Sequence, residues 1–471
     1  MASEIRVNKI ENRSGLGTVT FADTGVDLAG IVTATTFSGS GASLTNVPDS
    51  ALSAVTASKL SGALPAISAA SLTNVPAANV VGVHTSLTVT NTTTVGGGVT
   101  ISKSGIEASG IGITCANING TSIGGRRNIV INGAMSVAQR GTSSTTTSGY
   151  NVVDRFFTTA SNFDQLAATI SQDSESPDGF ANSLKWATTT PETTVDSDES
   201  LYIGYKFEGQ DLQQLNYGGS SATDFTISFY VKTSITGTYS LTLYRDEPGA
   251  DRICNRTYTV PDTNWHRYTF TVAGDTSRVI QNDTSSRMRL MFHIAAGSDY
   301  TSSTSSTWVD YGNAYFAGGH AANGVATTDN ATFYLTGVQL EVGSQATAFE
   351  HRNFGEELHL CQRYYEVLVS GSGKTWGGAA VMYLANQTHH QCTFVEKRGT
   401  PTLDYVSGTN YYRYYANDSN AHSSTLDQFL YATPRSAGII ANTLSGNLVS
   451  GGAAFSYTTN ASAFVAISAE L

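Results

Sequence analysis

The chain has 471 residues, room for about three structural units, and a formal net charge of −11. That balance argues against general binding to phosphate backbones, which needs clustered cations, so no nucleic-acid partner is expected. Only 13% of residues are charged, against about 25% in ordinary soluble chains, and the abundant Thr, Ser and Gly suit strands and turns.

Aromatic residues are unevenly spread. Residues 1–127 hold only Phe21 and Phe37, while the other 44 lie in the remaining 344 positions. No run of about 20 apolar residues offers a membrane span, so no membrane insertion is expected. The opening MASEIRVNKIEN carries no signal-peptide core. Cys115, Cys254, Cys361 and Cys392 form no CxxC pair. That pattern indicates neither a disulfide framework nor a zinc knuckle, and it fits synthesis in a reducing cytoplasm.

Residues 1–30 alternate weakly through Ile5, Val7, Ile10, Val19 and Phe21 and read as a small β-rich attachment segment. Residues 31–127 read as a shaft. Between positions 28 and 102 the only charged residues are Asp49 and Lys59, and Ala-Ser-Leu-Thr-Asn-Val-Pro occurs at 42–48 and again at 70–76, a period of 28. Repeats signal stacked architectures. Sparse aliphatics such as Leu44, Val47, Leu52, Leu72 and Val75, set among small residues, find burial only if several copies wrap one another. The competing reading is a disordered Ser/Thr/Gly linker. Strand-like runs at 86–90, 98–102 and 110–114 continue the segment.

Composition changes abruptly at Arg126-Arg127-Asn128. From 128 to 350, period-2 runs at 224–231, 238–244, 265–272, 288–293 and 331–340 predict a two-sheet antiparallel sandwich. Residues 351–471 are read as one helix followed by a β domain. Leu358, Cys361 and Tyr365 fall at helical spacing after an acidic first turn, which places Tyr364 and Tyr365 on that helix as packing residues between domains or subunits. Strands resume at 375, and Ala463-Phe-Val-Ala-Ile-Ser closes a compact domain.

Several phrases resemble bacteriophage tail-fibre proteins, notably those of marine and cyanobacterial phages. They are Asn128-Ile-Val-Ile-Asn-Gly133 with Gln139-Arg-Gly141, Val153-Asp-Arg-Phe-Phe157, and Val338-Gln-Leu-Glu-Val-Gly-Ser344. The longest runs from Ala348-Phe-Glu-His-Arg352 to Glu356-Glu-Leu-His-Leu-Cys-Gln-Arg-Tyr-Tyr365. The resemblance implies an all-β, elongated homotrimeric fibre. Its parts would be an N-terminus held by phage tail proteins, an intertwined β-rich shaft, a jelly-roll β-sandwich and a C-terminal β domain as possible receptor-binding tip. It implies attachment to a host surface polysaccharide or outer-membrane receptor, with the chain on the virion tail after assembly in the host cytoplasm. Residues 128–350 are also similar to carbohydrate-binding-module jelly rolls, with Trp265-His-Arg-Tyr-Thr-Phe270 as an internal strand. The acidic positions that hold a structural calcium in many such modules read Ala134 and Thr336 here, so no metal or other cofactor is expected.

The acidic clusters Asp196/Asp198/Glu199 and Asp246/Glu247 sit in turn-like sequence, where solvated carboxylates are the default. No nucleophile elbow, HExxH or P-loop occurs. A binding protein rather than an enzyme is expected, with a glycan depolymerase and a purely structural connector as alternatives. His389 and His390 are adjacent in a strand and point to opposite faces, which prevents them from sharing a metal within one chain. A threefold axis gathering one His from each copy is the metal-binding alternative. The ligand-binding candidates are Tyr411, Tyr412, Tyr414 and Tyr415, followed by Asn417, Asp418 and Asn420, together with Trp376 in a Gly-rich loop. Aromatic faces beside short polar groups suit sugar rings, and one Tyr of each pair is expected to face the core.

Overall fold

Strands that bury one face must pair and stack, and the alternating runs do so twice along this chain. The structure, a computed structural model, describes residues 126–471 apart from Glu247, Pro248, Ala250, Gly377, Thr443 and Asn447. It also describes 9–11, 18–23, 25–29, 31–36, 38, 40, 45–46, 117–118 and 121–122. The 28-residue repeat (Thr45 and Asn46 apart), the strand-like runs at 86–114, Cys115 and Glu247 lie outside the described residues. Two compact units divide at 107/108. In the first, β1 (Lys9–Glu11), β2 (Thr18–Ala22) and β3 (Gly25–Ala29) form an antiparallel meander. Among the described residues no helix is long and apolar enough to cross a membrane.

The second unit opens with the short pair β4 (Asn117–Ile118) and β5 (Thr121–Ser122). The sandwich strands follow. They are β6 (Ser143–Ser144), β7 (Phe156–Ser161), β8 (Ala167–Asp173), β9 (Ser183–Thr190), β10 (Ser200–Glu208), β11 (Phe225–Thr233), β12 (Gly237–Arg245), β13 (Arg252–Val260), β14 (His266–Val272), β15 (Ser286–Ala296), β16 (Val309–Asp310) and β17 (Thr332–Val342). They form two six-stranded antiparallel sheets of jelly-roll type, ordered β16-β13-β12-β15-β10-β7 and β14-β11-β17-β9-β8-β6. Trp186, Ile203, Ile227, Phe229, Leu241, Phe292 and Leu335 fill the space between them. The strand carrying His266-Arg-Tyr-Thr-Phe270, expected inside its sheet, is an edge: β14 pairs with β11 alone.

The helix is real but shorter than expected. It spans Phe354–Gln362, capped by the Asn353 side chain accepting from Glu356 N. Tyr364 and Tyr365 therefore do not lie on it. The aromatic and aliphatic run from Tyr365 onward favours extended backbone, and Tyr365 starts β18 (Tyr365–Ser370), which pairs with the last strand. The remaining strands are β19 (Ala380–Leu384), β20 (Gln387–Thr393), β21 (Thr402–Tyr405), β22 (Tyr412–Ala416), β23 (Ser419–Ser423), β24 (Gln428–Leu430), β25 (Ser436–Ala441), β26 (Ala453–Thr458) and β27 (Phe464–Ser468). A three-stranded sheet, β18-β27-β21, and a seven-stranded sheet, β23-β22-β26-β19-β20-β25-β24, enclose a second core.

The phrases that carry the sequence resemblance build the joint between these two cores. Asn128 Nδ2 donates to Val338 O, while its Oδ1 accepts from Val130 N and Leu340 N, tying the domain's first residues to its last strand. Asn132, at φ 61, donates to Val137 O and Asp154 O. Gly133 sits so close to the Val338 carbonyl that any Cβ would collide with it. Glu350 accepts from the backbone of Arg127 and Asn128, and Glu357 from that of Asn132. Arg363 forks onto Glu208 with two 2.8 Å bonds.

Arg155 is the centre of the joint. It is buried, at φ 72, and its guanidinium lies 3.4 Å from the Tyr364 ring centroid. It donates to Glu470 Oε2 at 2.9 Å and to Lys206 O at 2.7 Å. Removing one partner of such a pair strands a buried charge, at a cost of about 3–5 kcal/mol. Glu470→Ala is expected to destabilise the full chain by about 3 kcal/mol, read as a fall in the urea midpoint.

Candidate functional site

The inner faces of the C-terminal domain use up most of the aromatic candidates. Alternation along β22 sends Tyr412 and Tyr414 inward, both essentially unexposed. Trp376, expected in an exposed loop, is 1% exposed. Its ring packs 5.6 Å from Tyr412, 5.7 Å from His390 and 6.3 Å from Tyr414, because a core closed by small residues such as Ala380, Ala421 and Ala437 needs one large side chain to fill it. These three candidates are therefore core residues of the chain. Tyr411 is half-buried against the same core, its ring lying across Gly408, where a Cβ would clash with it. Only Tyr415 reaches the outer face, its hydroxyl donating to Asp418 at 2.7 Å.

The outer face of the seven-stranded sheet is where the structure gathers exposed rings. Across the strands, Tyr415 pairs with Phe455 on β26, and Ala453 of β26 pairs with Val381 on β19. Val381 pairs in turn with His389 on β20. Phe455 is 68% exposed and Tyr383 61%, and the Tyr383 ring stacks on His389 at 4.7 Å and 24°. Beyond them Tyr431, at φ 52, stands 86% exposed. A positive φ on a bulky residue is an uncommon, costly backbone state.

Beside Tyr431 and His389 lies a depression of about 400 Å³, lined also by Val381, Gln391, Leu430 and Ser436 among others. Its cause is Gly438, which register places between Gln391 of β20 and Leu430 of β24. Its neighbours Ala437 and Ile439 face the core, so Gly438 presents its missing side chain outward. At the opposite side of the sheet, Arg413 donates to His422 Nε2 at 2.8 Å and to the Tyr457 hydroxyl at 3.1 Å. Burial, reinforced by the Arg413 charge, holds the His422 imidazole below its ordinary value. The face thus combines ring platforms with hydrogen-bonding groups. Sequence reasoning missed Tyr383, Phe455, Tyr431 and Gly438. The alternation in Ala-Val-Met-Tyr-Leu and Ala-Ala-Phe-Ser-Tyr-Thr was the available signal, but it does not say which phase is buried.

The acidic clusters resolve differently. Both oxygens of Asp246 are taken by Arg289, at 2.7 and 2.8 Å. Glu199 is buried and accepts from Asp196 N, and burial raises its pKa. Asp198 accepts from Asn162. His389 and His390 do point to opposite faces, His390 into the core and His389 under Tyr383. Among the described residues no group of three His, Cys, Asp or Glu side chains is arranged to hold a metal ion.

No family model and no curated protein matches this sequence. Solved structures with partial likeness include the enzymatically active domain of bacteriophage CBA120 tailspike protein 4. That match has 12% identity and a TM-score of 0.25, covering 46% of this chain and 21% of that one. A second is the family 11 carbohydrate-binding module of the Clostridium thermocellum cellulase Lic26A-Cel5E (12% identity, TM-score 0.23, 45% and 98% coverage). A third is the N-terminal cellulose-binding domain of Cellulomonas fimi β-1,4-glucanase C (11% identity, TM-score 0.22, 45% and 100% coverage). The chain spans about a fifth of the tailspike structure. At these values the likenesses carry no functional argument, which falls to the chain's own residues.

His390 gives a stability test of the sheet's inner face. Burial lowers its pKa from 6.5 to about 4, so between those values the unfolded chain binds the proton and the folded chain does not. Its contribution to stability is therefore present above pH 6.5 and lost as pH falls towards 4. His390→Phe is expected to flatten the dependence of the thermal midpoint on pH across that window.

Proposed function

We propose that this chain is a glycan-binding attachment protein of the bacteriophage tail-fibre type. In this reading it is homotrimeric, held at its N-terminus by tail proteins of the virion, and assembled in the host cytoplasm. It displays its C-terminal sheet to a host surface polysaccharide and binds without cleaving it. One observation carries the reading: the outer face of the seven-stranded sheet presents Phe455 and Tyr383 as exposed rings and, on the same face, a depression edged by Tyr431, Gln391, His389 and Ser436. Apolar C–H faces of sugars stack on such rings while the polar groups take the hydroxyls. The phrases at 128–157 and 338–365 support the tail-fibre assignment by their resemblance. Three copies in one assembly raise weak contacts by effective concentration.

A second reading, a structural connector whose sheet face packs against another subunit, is favoured by Val381, Leu384 and Val449, exposed in the same domain. Exposed aliphatics suit protein partners better than sugars.

Gly438→Phe fills the depression at small cost, since its φ is ordinary and the nearest atom to an added Cβ is Leu430 O at 3.5 Å. That variant, and the double change Tyr383→Ala/Phe455→Ala, are each expected to weaken retention on purified host polysaccharide by about tenfold, at about 0.7 kcal/mol per ring. Sedimentation should stay at the wild-type trimer, and no reducing ends should be released. Unchanged retention with a lower oligomeric state would instead support the connector.

A further inference from the structure

We propose that the joint between the sandwich and the C-terminal domain holds a second ligand site, a pocket for one neutral sugar ring. The proposal rests on reading the chain as a glycan binder, but it concerns a place remote in the fold from the seven-stranded sheet's outer face. The pocket is about 230 Å³, smaller than the roughly 300–1,000 Å³ of sites that enclose drug-sized ligands, which limits an occupant to a single ring.

Its lining comes from both sides of the joint. Arg140, Tyr150 and Asn151 belong to the segment leading into β7, and Tyr365, Asp404 and Phe464 to the three-stranded sheet. The floor is pinned before any ligand arrives. The Arg140 guanidinium stacks 3.4 Å from the Tyr365 ring centroid and donates to Glu470 Oε1 at 3.0 Å. The Tyr365 hydroxyl donates to Asp404 Oδ2 at 2.9 Å. Asn151 Nδ2 donates to the carbonyls of Thr146 and Ser148 at 2.9 and 3.0 Å, which leaves its amide oxygen as the group it has to offer. Groups fixed in this way lose little entropy on binding.

The chemistry of the lining selects the ligand. Arg140 is countered by Glu470 at 3.0 Å and Asp154 at 3.9 Å, so the pocket offers no uncompensated cation for a phosphate or a uronic acid. What it offers, besides the Ser370 hydroxyl, is acceptors, the Asp404 carboxylate and the Asn151 amide oxygen, beside the rings of Tyr150 and Phe464. Hydroxyl donors with an apolar C–H face match that set. Hydrogen bonds to a carboxylate are the stronger kind.

Saturation-transfer NMR on the full chain, with free glucose, galactose, mannose and N-acetylglucosamine as probes, tests the site. Ser370, exposed at the end of β18 and part of the lining, can carry a plug. At least one sugar is expected to receive saturation from the wild type, and part of that transfer should remain in Tyr383→Ala/Phe455→Ala, where the sheet's rings are gone. In that background the remaining signal should vanish when Ser370→Trp is added, and its Kd should rise about tenfold or more with Asp404→Ala. Each variant is checked for folding by its thermal midpoint. No transfer to any probe from Tyr383→Ala/Phe455→Ala, or an unchanged signal when Ser370→Trp or Asp404→Ala is added to it, overturns the pocket. Retention on host polysaccharide, measured in parallel, separates the two readings: it survives if only the pocket fails, and is absent from the wild type if glycan binding itself is wrong.

Discussion

The buried guanidinium of Arg155 is the constraint on which the rest of the second unit depends. A charge taken out of water must be matched where it lies, and its partners come from distant parts of the chain: Glu470 beyond the last strand, the Lys206 carbonyl of β10, and the ring of Tyr364 just past the helix. Satisfying that one side chain brings the end of the C-terminal domain against the sandwich. Arg140, Asp154 and Tyr365 extend the same network. Burial pushes the Asp154 carboxyl up to about 6 against the opposing hydrogen bonds from Gln139 and the charge of Arg140, so this acid too is held by the joint rather than by solvent.

Because the joint is polar and directional, it fixes orientation in a way that apolar contact alone does not. A slip at β18 would cost the Tyr365–Asp404 bond, the stacking on Arg140 and the pairing with β27 together. The joint pocket thus has a floor set by the fold, and the three-stranded sheet is free to bury its inner face against the seven-stranded one. The latter keeps its outer face bare.

Much of the fold was legible in the sequence, for a physical reason. Period-2 runs such as Phe225-Thr-Ile-Ser-Phe-Tyr-Val231 specify a strand with one buried face almost regardless of context, and the all-β sandwich followed from them. The phrases resembling tail fibres were also informative, though about construction. Asn128, Asn132, Asp154, Arg155, Glu357 and Arg363 are spent on the joint and the closing strands. The site was much less legible. Tyr411-Tyr-Arg-Tyr-Tyr415 stands out in sequence, yet two of its rings are core because alternation cannot reveal which phase faces inward. Trp376 looked like a loop residue among glycines, while in the fold it fills a space left by alanines far away in sequence. Gly438 shapes the depression by lacking a side chain, and only cross-strand register gives that absence a meaning.

The geometry of the bare face also bears on what suits it. Tyr415 and Phe455 face each other across β22 and β26, roughly 4.8 Å apart, whereas Tyr383 stands on β19 well along the strand from the position opposite Phe455. The exposed rings are therefore spread both across the strands and along them. Twist rotates each strand by roughly 20–25° from the next, so the rings fan out rather than lie in one plane, and a chain laid across them must turn with them. A flexible glycan can follow that turn unit by unit. The Gly438 depression lies past β19, on the outer face of β20, β25 and β24. Val381 both lines the depression and stands between β26 and β20 in the register, so the ring-bearing strands and the depression adjoin on one face.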